Sequence, residues 1–245
     1  ITTEKLNSML IADVLSQKTT SISGSSSSRI NNIVKACASI NGLVLNPGDE
    51  FSYNAALGER TKASGYQAAG AYSGGKVVSE VGGGICQVSS TLYYCTLVAN
   101  LEITARMCHY FGVSYLPAGL DATVSWPSPD FKFKNSSAYP IKIEAYVDKG
   151  TNTVTVKIYG SNPEGIRVEM TTETWNLADG YGAVSYRSVY DKNGNLISKK
   201  EESRSRYYHH KVEEPSPSPS PSPSPSPTPS AAPPSPPPTP SPITP

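Results

Sequence analysis

Apolar positions in the first hundred residues recur at helical spacing. From Lys5 to Leu15 the chain places Leu6, Met9, Leu10 and Val14 on one side, which predicts a short amphipathic helix. Ser21 to Ser28, rich in serine and glycine, reads as a loop. Arg29 to Ile40 then sets Ile30, Ile33, Val34, Cys37 and Ile40 on one face of a second helix, with Ser28 as its cap and Cys37 on the buried side. Asn46-Pro47-Gly48-Asp49 has the proline and glycine of a turn, and a short strand is expected over Glu50 to Tyr53. Loop-like sequence continues to Tyr72, and Lys76-Val77-Val78 suggests another strand. Gln87 to Leu101 carries Val88, Leu92, Cys95 and Ala99 on one face, and Leu97, Val98 and Leu101 add bulk elsewhere. It is expected to be the mostly buried central helix.

Downstream the period changes to two. Ile103 to His109, Ala122 to Trp126, Phe131 to Lys134, Ile141 to Val147 and Val154 to Tyr159 read as strands separated by Pro, Gly and Asn-Ser turns. Helices followed by antiparallel strands make the expected fold class α+β, a central helix packed on an antiparallel sheet. Gly160 to Pro163 reads as a boundary. Beyond it, Ala183 to Val189, the turn Asp191-Lys192-Asn193-Gly194 and Asn195 to Arg206 predict a hairpin in a small, elongated all-β module. The expected layout is therefore residues 1–15 as the end of an upstream region, 16–160 as the α+β domain, 161–213 as the β module and 214–245 as a disordered Pro/Ser-rich spacer. Such a spacer favours polyproline II, extending roughly 100 Å at about 3.1 Å per residue.

Composition narrows the partners. The formal charge is +1, from 21 basic and 20 acidic residues scattered without a basic stripe, which argues against nucleic acid. No apolar run is long enough to cross a bilayer, so membrane attachment would come only through an anchor upstream of residue 1. The cysteines, Cys37, Cys86, Cys95 and Cys108, match no zinc spacing and have one histidine nearby, so neither a metal nor another cofactor is expected. Cys37 and Cys95 are expected to be reduced core residues. No feature specifies an oligomeric state.

The candidate chemistry centres on Gly82-Gly83-Gly84-Ile85-Cys86-Gln87, a glycine turn that delivers a thiol to a helix start. Glycines let another chain approach, so Gly83 and Gly84 are candidate substrate-binding positions. A helix N-terminus favours the thiolate of Cys86, and its free N–H groups with the Gln87 amide would form an oxyanion hole. His109 is the one histidine before the appended module and the candidate base. Asp121, or Asp130, would orient the imidazole, an arrangement used by papain-like, NlpC-type and transglutaminase-like enzymes. Arg60 is a candidate for holding a substrate carboxylate. Each has a plainer reading: Cys86 as a small residue at a tight turn, His109 as a satisfied strand histidine, Asp121 as a turn cap after Gly119, Arg60 in a structural salt bridge. The pair His209-His210 reads as exposed and inert.

Several ordered motifs carry a family resemblance. They are Thr19 to Gly24 with Arg29 and Asn32, the run Leu45 to Asn54, Gly58-Glu59-Arg60-Thr61, Gly65-Tyr66, the block Gly82 to Tyr93, Gly119 to Val124, and Asp130 to Asn135. Over roughly residues 15 to 160 the chain resembles the VanW family. Residues Gly180 to Tyr208 resemble part of a G-five module. The resemblance implies a cell-surface protein of Gram-positive type, extracellular or wall-associated, linked to vancomycin resistance, with Cys86, His109 and Asp121 at motif positions. It implies peptidoglycan or another cell-wall polymer as partner. Two functions follow: a cysteine-dependent peptidase, amidase or transpeptidase acting on peptidoglycan peptides, or a non-catalytic wall-binding or scaffolding protein.

Overall fold

Helix α1 (Ser27–Ile40) begins where Ser26, in an extended conformation, accepts the Arg29 N–H on its side-chain oxygen at 3.2 Å, so the cap lies two residues before the expected Ser28. Its inner face is Ile33, Ala36, Cys37 and Ile40, spaced three, four and seven apart and all buried. A short helix, α2 (Tyr53–Leu57), starts at the Ser52 cap, and α3 (Ile85–Val98) follows Gly84 at the end of the glycine turn. This third helix is buried on nearly every side. Its hydroxyls bond back to its own carbonyls, Thr91 to Gln87 at 2.6 Å and Thr96 to Tyr93 at 2.7 Å, which lets polar residues sit inside. The computed structural model describes residues 11–73 and 76–209.

The helices pack on a four-stranded antiparallel sheet of β1 (Asp13–Ser21), β9 (Thr153–Gly160), β8 (Ile141–Asp148) and β2 (Val44–Leu45), in that order. Helix α3 covers β1 and β9, while α1 covers β8. Between them Leu92, Leu97, Ile141, Ile143, Val156 and Ile158 are removed from solvent, each such side chain stabilising the fold by roughly 1.5 to 3 kcal/mol. The α+β class with a central helix on an antiparallel sheet is therefore the observed one. A second sheet of β3 (Glu50–Ser52), β7 (Lys132–Lys134) and β6 (Glu102–Ala105) stacks Phe51 on Phe133. Strands β4 (Ala68–Ser73) and β5 (Lys76–Val81) form a hairpin beside the glycine turn. A three-stranded antiparallel sheet, β10 (Arg167–Leu177), β11 (Gly180–Tyr190) and β12 (Leu196–Tyr208), completes the described residues.

Four expectations are corrected. The helix predicted to end at Leu15 is a strand where it is described, because Asp13 to Ser21 pairs with β9 and Thr19 bonds to Thr155 across the ladder at 2.8 Å. A division at residue 15 would cut that strand. Ala122 to Trp126 joins no ladder: side chains take its carbonyls, Ser89 bonding Ala122 at 2.7 Å and Asn54 bonding Ser125 at 2.7 Å. The strand from Ile103 stops at Ala105, and His109 stands on the connection beyond it. The break at Gly160 to Pro163 separates two sheets but not two compact units. Arg187 of β11 reaches back to the Leu101 carbonyl at 2.9 Å, and Arg106 reaches Ser205 of β12 at 2.8 Å. The Pro/Ser-rich segment, His210 and residues 5–10 of the first expected helix lie outside the described residues. Among the described residues no helix is long and apolar enough to cross a membrane.

Candidate active site

Three glycines turn the chain from β5 into α3, and each answers a different close approach. A Cβ on Gly83 would stand 2.6 Å from the Ala69 carbonyl oxygen, inside the β4 backbone. Gly82 and Gly84 both have positive φ, and a Cβ on them would meet Arg60 Cβ at 3.1 Å and Arg29 Cγ at 2.7 Å. The turn is thus held between two arginine side chains. Gly84 ends it in a left-handed conformation as the N-cap of α3, with no side chain capping the helix. The first turn opens into a cavity of about 890 Å³, whose lining includes Arg29, Arg60, Cys86, His109, Tyr115 and Trp126.

Cys86 occupies the second position of α3 and is half-buried at the cavity wall. Its sulfur lies 3.5 Å from the Val124 N–H, which donates to it, and 3.8 Å from the Thr123 hydroxyl. Burial alone would push this thiol up. The hydrogen bond with His109, the charge on that ring, and the contacts to Val124 and Thr123 outweigh burial and hold it below the ordinary thiol value. His109 is shifted the opposite way: burial opposes its charge, yet hydrogen bonds to Asp121 and Cys86 raise it from 6.5 to about 9. The two shifts run in opposite directions, thiol down and imidazole up, the sense in which each charge supports the other.

Asp121 fixes the ring. It is fully buried, and its Oδ2 accepts both the His109 backbone N–H and ring Nδ1–H, each at 2.7 Å. With Nδ1 committed, Nε2 is the ring nitrogen left for the sulfur. The other carboxylate oxygen accepts from Arg106 at 3.1 Å and from the Tyr207 hydroxyl. Burial would raise this carboxyl; His109, Arg106 and Tyr207 together hold it below the usual range. Asp121 thus fixes His109, which shares the cavity wall with Cys86 and lowers its thiol, so the three residues singled out separately in the sequence meet at one cavity. Asp130 instead binds Ser52 and the Asn54 N–H at the start of α2.

Gln87 has another role than the expected oxyanion donor. Its amide nitrogen gives its hydrogens to Thr20 Oγ1 at 3.0 Å and the Ser21 carbonyl at 2.8 Å, and its oxygen accepts from Arg29 at 2.7 Å. The side chain is buried and ties α3 to β1 and α1. The Cys86 N–H, which has no acceptor among the described residues, is the group left to face a developing oxyanion. Arg60 stays at the cavity as expected, and its guanidinium lies over Trp126 and donates to the Gly58 carbonyl at 2.9 Å. The salt bridge considered for it is absent among the described residues. No group of His, Cys, Asp and Glu there is arranged to hold a metal ion.

Comparison with known families matches residues 28–159 to the family described as VanW like protein. The chain belongs to the VanW family. It is 40% identical over 156 residues to the uncharacterized protein YoaR of Bacillus subtilis (strain 168), an alignment covering 62% of this chain and 52% of that protein. It is 29% identical over 127 residues to the vancomycin B-type resistance protein VanW of Enterococcus faecalis (strain ATCC 700802 / V583), covering 49% of this chain and 46% of that one. The chain thus spans about half the length of the curated relatives it matches. No solved structure matches it. The VanW match contains Cys86, His109 and Asp121, but Tyr207, which binds Asp121, and Thr20 and Ser21, which bind Gln87, lie outside residues 28–159. Sequence reading missed Arg106, Tyr115 and Tyr207, none of which carries a local motif. Arg29 stood in a quoted motif without an assigned role.

Proposed function

We propose that the cavity at the glycine turn is the active site of a cysteine-dependent peptidase, amidase or transpeptidase that acts on peptides of the cell wall, in an exported, surface-associated protein. The observation that carries this reading is the Cys86, His109, Asp121 chain at the cavity wall, with the thiol lowered and the ring raised. Similarity to a vancomycin B-type resistance protein supports a link to vancomycin resistance.

The chemistry follows from the resting ion pair. Cys86 thiolate attacks the carbonyl carbon of an amide, a C–S bond forms, and the displaced electron pair moves onto the carbonyl oxygen, facing the Cys86 N–H. Collapse breaks the C–N bond, and the amine leaves with the proton held by His109. Water, or the amine of a second peptide, then attacks the thioester while His109 takes its proton. The C–S bond breaks and the thiolate and imidazolium are restored. Asp121 stays ionised throughout and holds the ring in its working tautomer.

Iodoacetamide labelling of the native protein between pH 5 and 9, read by peptide mapping, tests the assignment. Cys86 should label first, with an apparent pKa below the ordinary thiol range and a further change near pH 9 as His109 loses its proton. Protection of Cys86 until the protein unfolds would remove the nucleophile and leave the cavity as a binding module.

A further inference from the structure

Five of the seven arginines in the sequence, Arg106, Arg167, Arg187, Arg204 and Arg206, pair with carboxylates. The two that do not, among the described residues, are Arg29 and Arg60, the same two that bracket the glycine turn and line the cavity. They are not equivalent. Arg60 lies over the Trp126 ring at the cavity rim. Arg29, in the first turn of α1, is drawn across Gly84 and fixed by two neutral acceptors, Ser25 Oγ at 2.8 Å and Gln87 Oε1 at 2.7 Å. Gln87 cannot turn away, because its own nitrogen is bound to Thr20 and Ser21. A guanidinium has five N–H groups, so this arrangement holds the fork in place and leaves donors unused.

The environment makes those donors consequential. Burial disfavours the Arg29 charge, and the groups whose charge it feels are Tyr115 and Cys86, both at the cavity. A partly desolvated cation with no carboxylate beside it gains strongly from an anion that arrives in its plane, and a carboxylate matches the fork in two places. Arg29 also ties α1 to α3 through Gln87, and its stem passes over Gly84, where a Cβ would meet Arg29 Cγ at 2.7 Å, so the guanidinium is held at the cavity wall.

We propose that Arg29 is the subsite for a substrate carboxylate, set beside the bond that Cys86 attacks, so that the preferred substrates are peptides whose scissile amide lies next to a free C-terminal carboxylate. This rests on the reading of Cys86 as the nucleophile, and it narrows that reading from amides in general to the trimming or exchange of a terminal residue. Arg29 holds the carboxylate, and the carbonyl one residue earlier then lies against the sulfur. Release of the terminal residue as a free amino acid follows from the C–N cleavage already described.

Two alkylating reagents separate the two claims. Iodoacetate carries a carboxylate and iodoacetamide does not, and both report on the same sulfur. At Cys86 the ratio of their rates, normalised to free cysteine, should exceed one by about tenfold, the worth of one charge-assisted contact. Arg29→Gln should bring that ratio back towards one, and Arg29→Lys should keep part of it. On the unaltered protein, N-acetylalanine should slow alkylation by iodoacetamide, while N-acetylalaninamide at equal concentration should not. A reactive Cys86 with the same ratio in Arg29→Gln, or with equal protection by acid and amide, overturns the carboxylate subsite and leaves the nucleophile standing. A Cys86 inert to both reagents overturns both. The protection experiment needs no variant, so a misfolded Arg29→Gln leaves the subsite open to refutation.

Discussion

The two ends of α3 each carry a thiol, and burial acts on both in the same direction. Near the C-terminal end Cys95 lies fully buried against β9, its sulfur donating to the Val156 carbonyl at 3.3 Å, and burial pushes it up to about 12. At the N-terminal end burial also opposes the Cys86 thiolate, yet that thiol is held low. The helix is one rigid element, so the contrast comes from what surrounds each end. Cys95 faces the apolar side of a sheet. Cys86 faces an imidazole whose charge is maintained by a buried carboxylate, at a helix start with no side-chain cap. The lowering of the Cys86 thiol comes from the connection carrying His109 and Asp121, with β12 behind it, and not from the helix alone.

Removing the imidazole should erase the contrast. In His109→Ala burial is no longer opposed by the ring, and the Cys86 thiol should move up towards the behaviour of Cys95. Alkylation of Cys86 at pH 7, and any peptide cleavage, should fall by about 100-fold or more, the usual worth of a positioned acid and base. Stopped-flow or quenched alkylation with peptide mapping measures it. A rate unchanged by the substitution would mean that the helix start alone activates the sulfur.

A smaller change should come from Tyr207→Phe, which leaves His109 in place and removes one donor from Asp121. The Gly119 N–H also loses the acceptor it reaches at 2.7 Å. Stability should drop by about 1.5 to 3 kcal/mol, as for a hydrogen bond to a charged group. Alkylation of Cys86 should slow by about threefold to tenfold, corresponding to a shift of under one pKa unit in the chain. The pH dependence has a definite sign. Asp121 is lowered from 3.8 by folding, so its contribution is present above that value and is lost as pH falls through the folded value. With Tyr207 gone the folded value rises, and acid unfolding should begin at higher pH. Denaturant titrations between pH 2 and 7 read this directly, and an unchanged acid limb would detach β12 from the site.

The sequence made one end of this comparison visible and left the other obscure, for physical reasons. The central helix was legible because Val88, Leu92 and Cys95 recur at helical spacing, with Leu97 and Val98 adding apolar bulk. Cys86 and His109 stood out because a glycine turn before a helix and a solitary histidine are local features. Tyr207 acts on Asp121 from 86 residues away, a distance at which no spacing rule operates. Strand β1 was obscured because its own residues from Ser16 onward, Ser16, Gln17, Lys18, Thr19, Thr20 and Ser21, carry no apolar alternation. Gln87 was misassigned by adjacency: it borders the cavity beside Cys86, but successive side chains on a helix point about 100° apart, and its amide is spent on Thr20 and Ser21.

The weakest effect on Cys86 should come from its counterpart on the same helix. Cys95→Ala removes a sulfur that donates to the Val156 carbonyl and leaves untouched every group that touches His109 or Asp121. The loss should be about 1 kcal/mol of stability, near the transfer value of one buried methylene-sized group. Alkylation of Cys86 should stay within about twofold of the parent, because sites with no shared partners act nearly independently. The informative result is a pairing of the two measurements. Reduced stability with constant Cys86 reactivity places the low thiol value in the contacts around the helix start, whereas a fall in both would show that the packing of α3 on β9 sets the position of Cys86, and that the two ends of the helix are less separate than their surroundings imply.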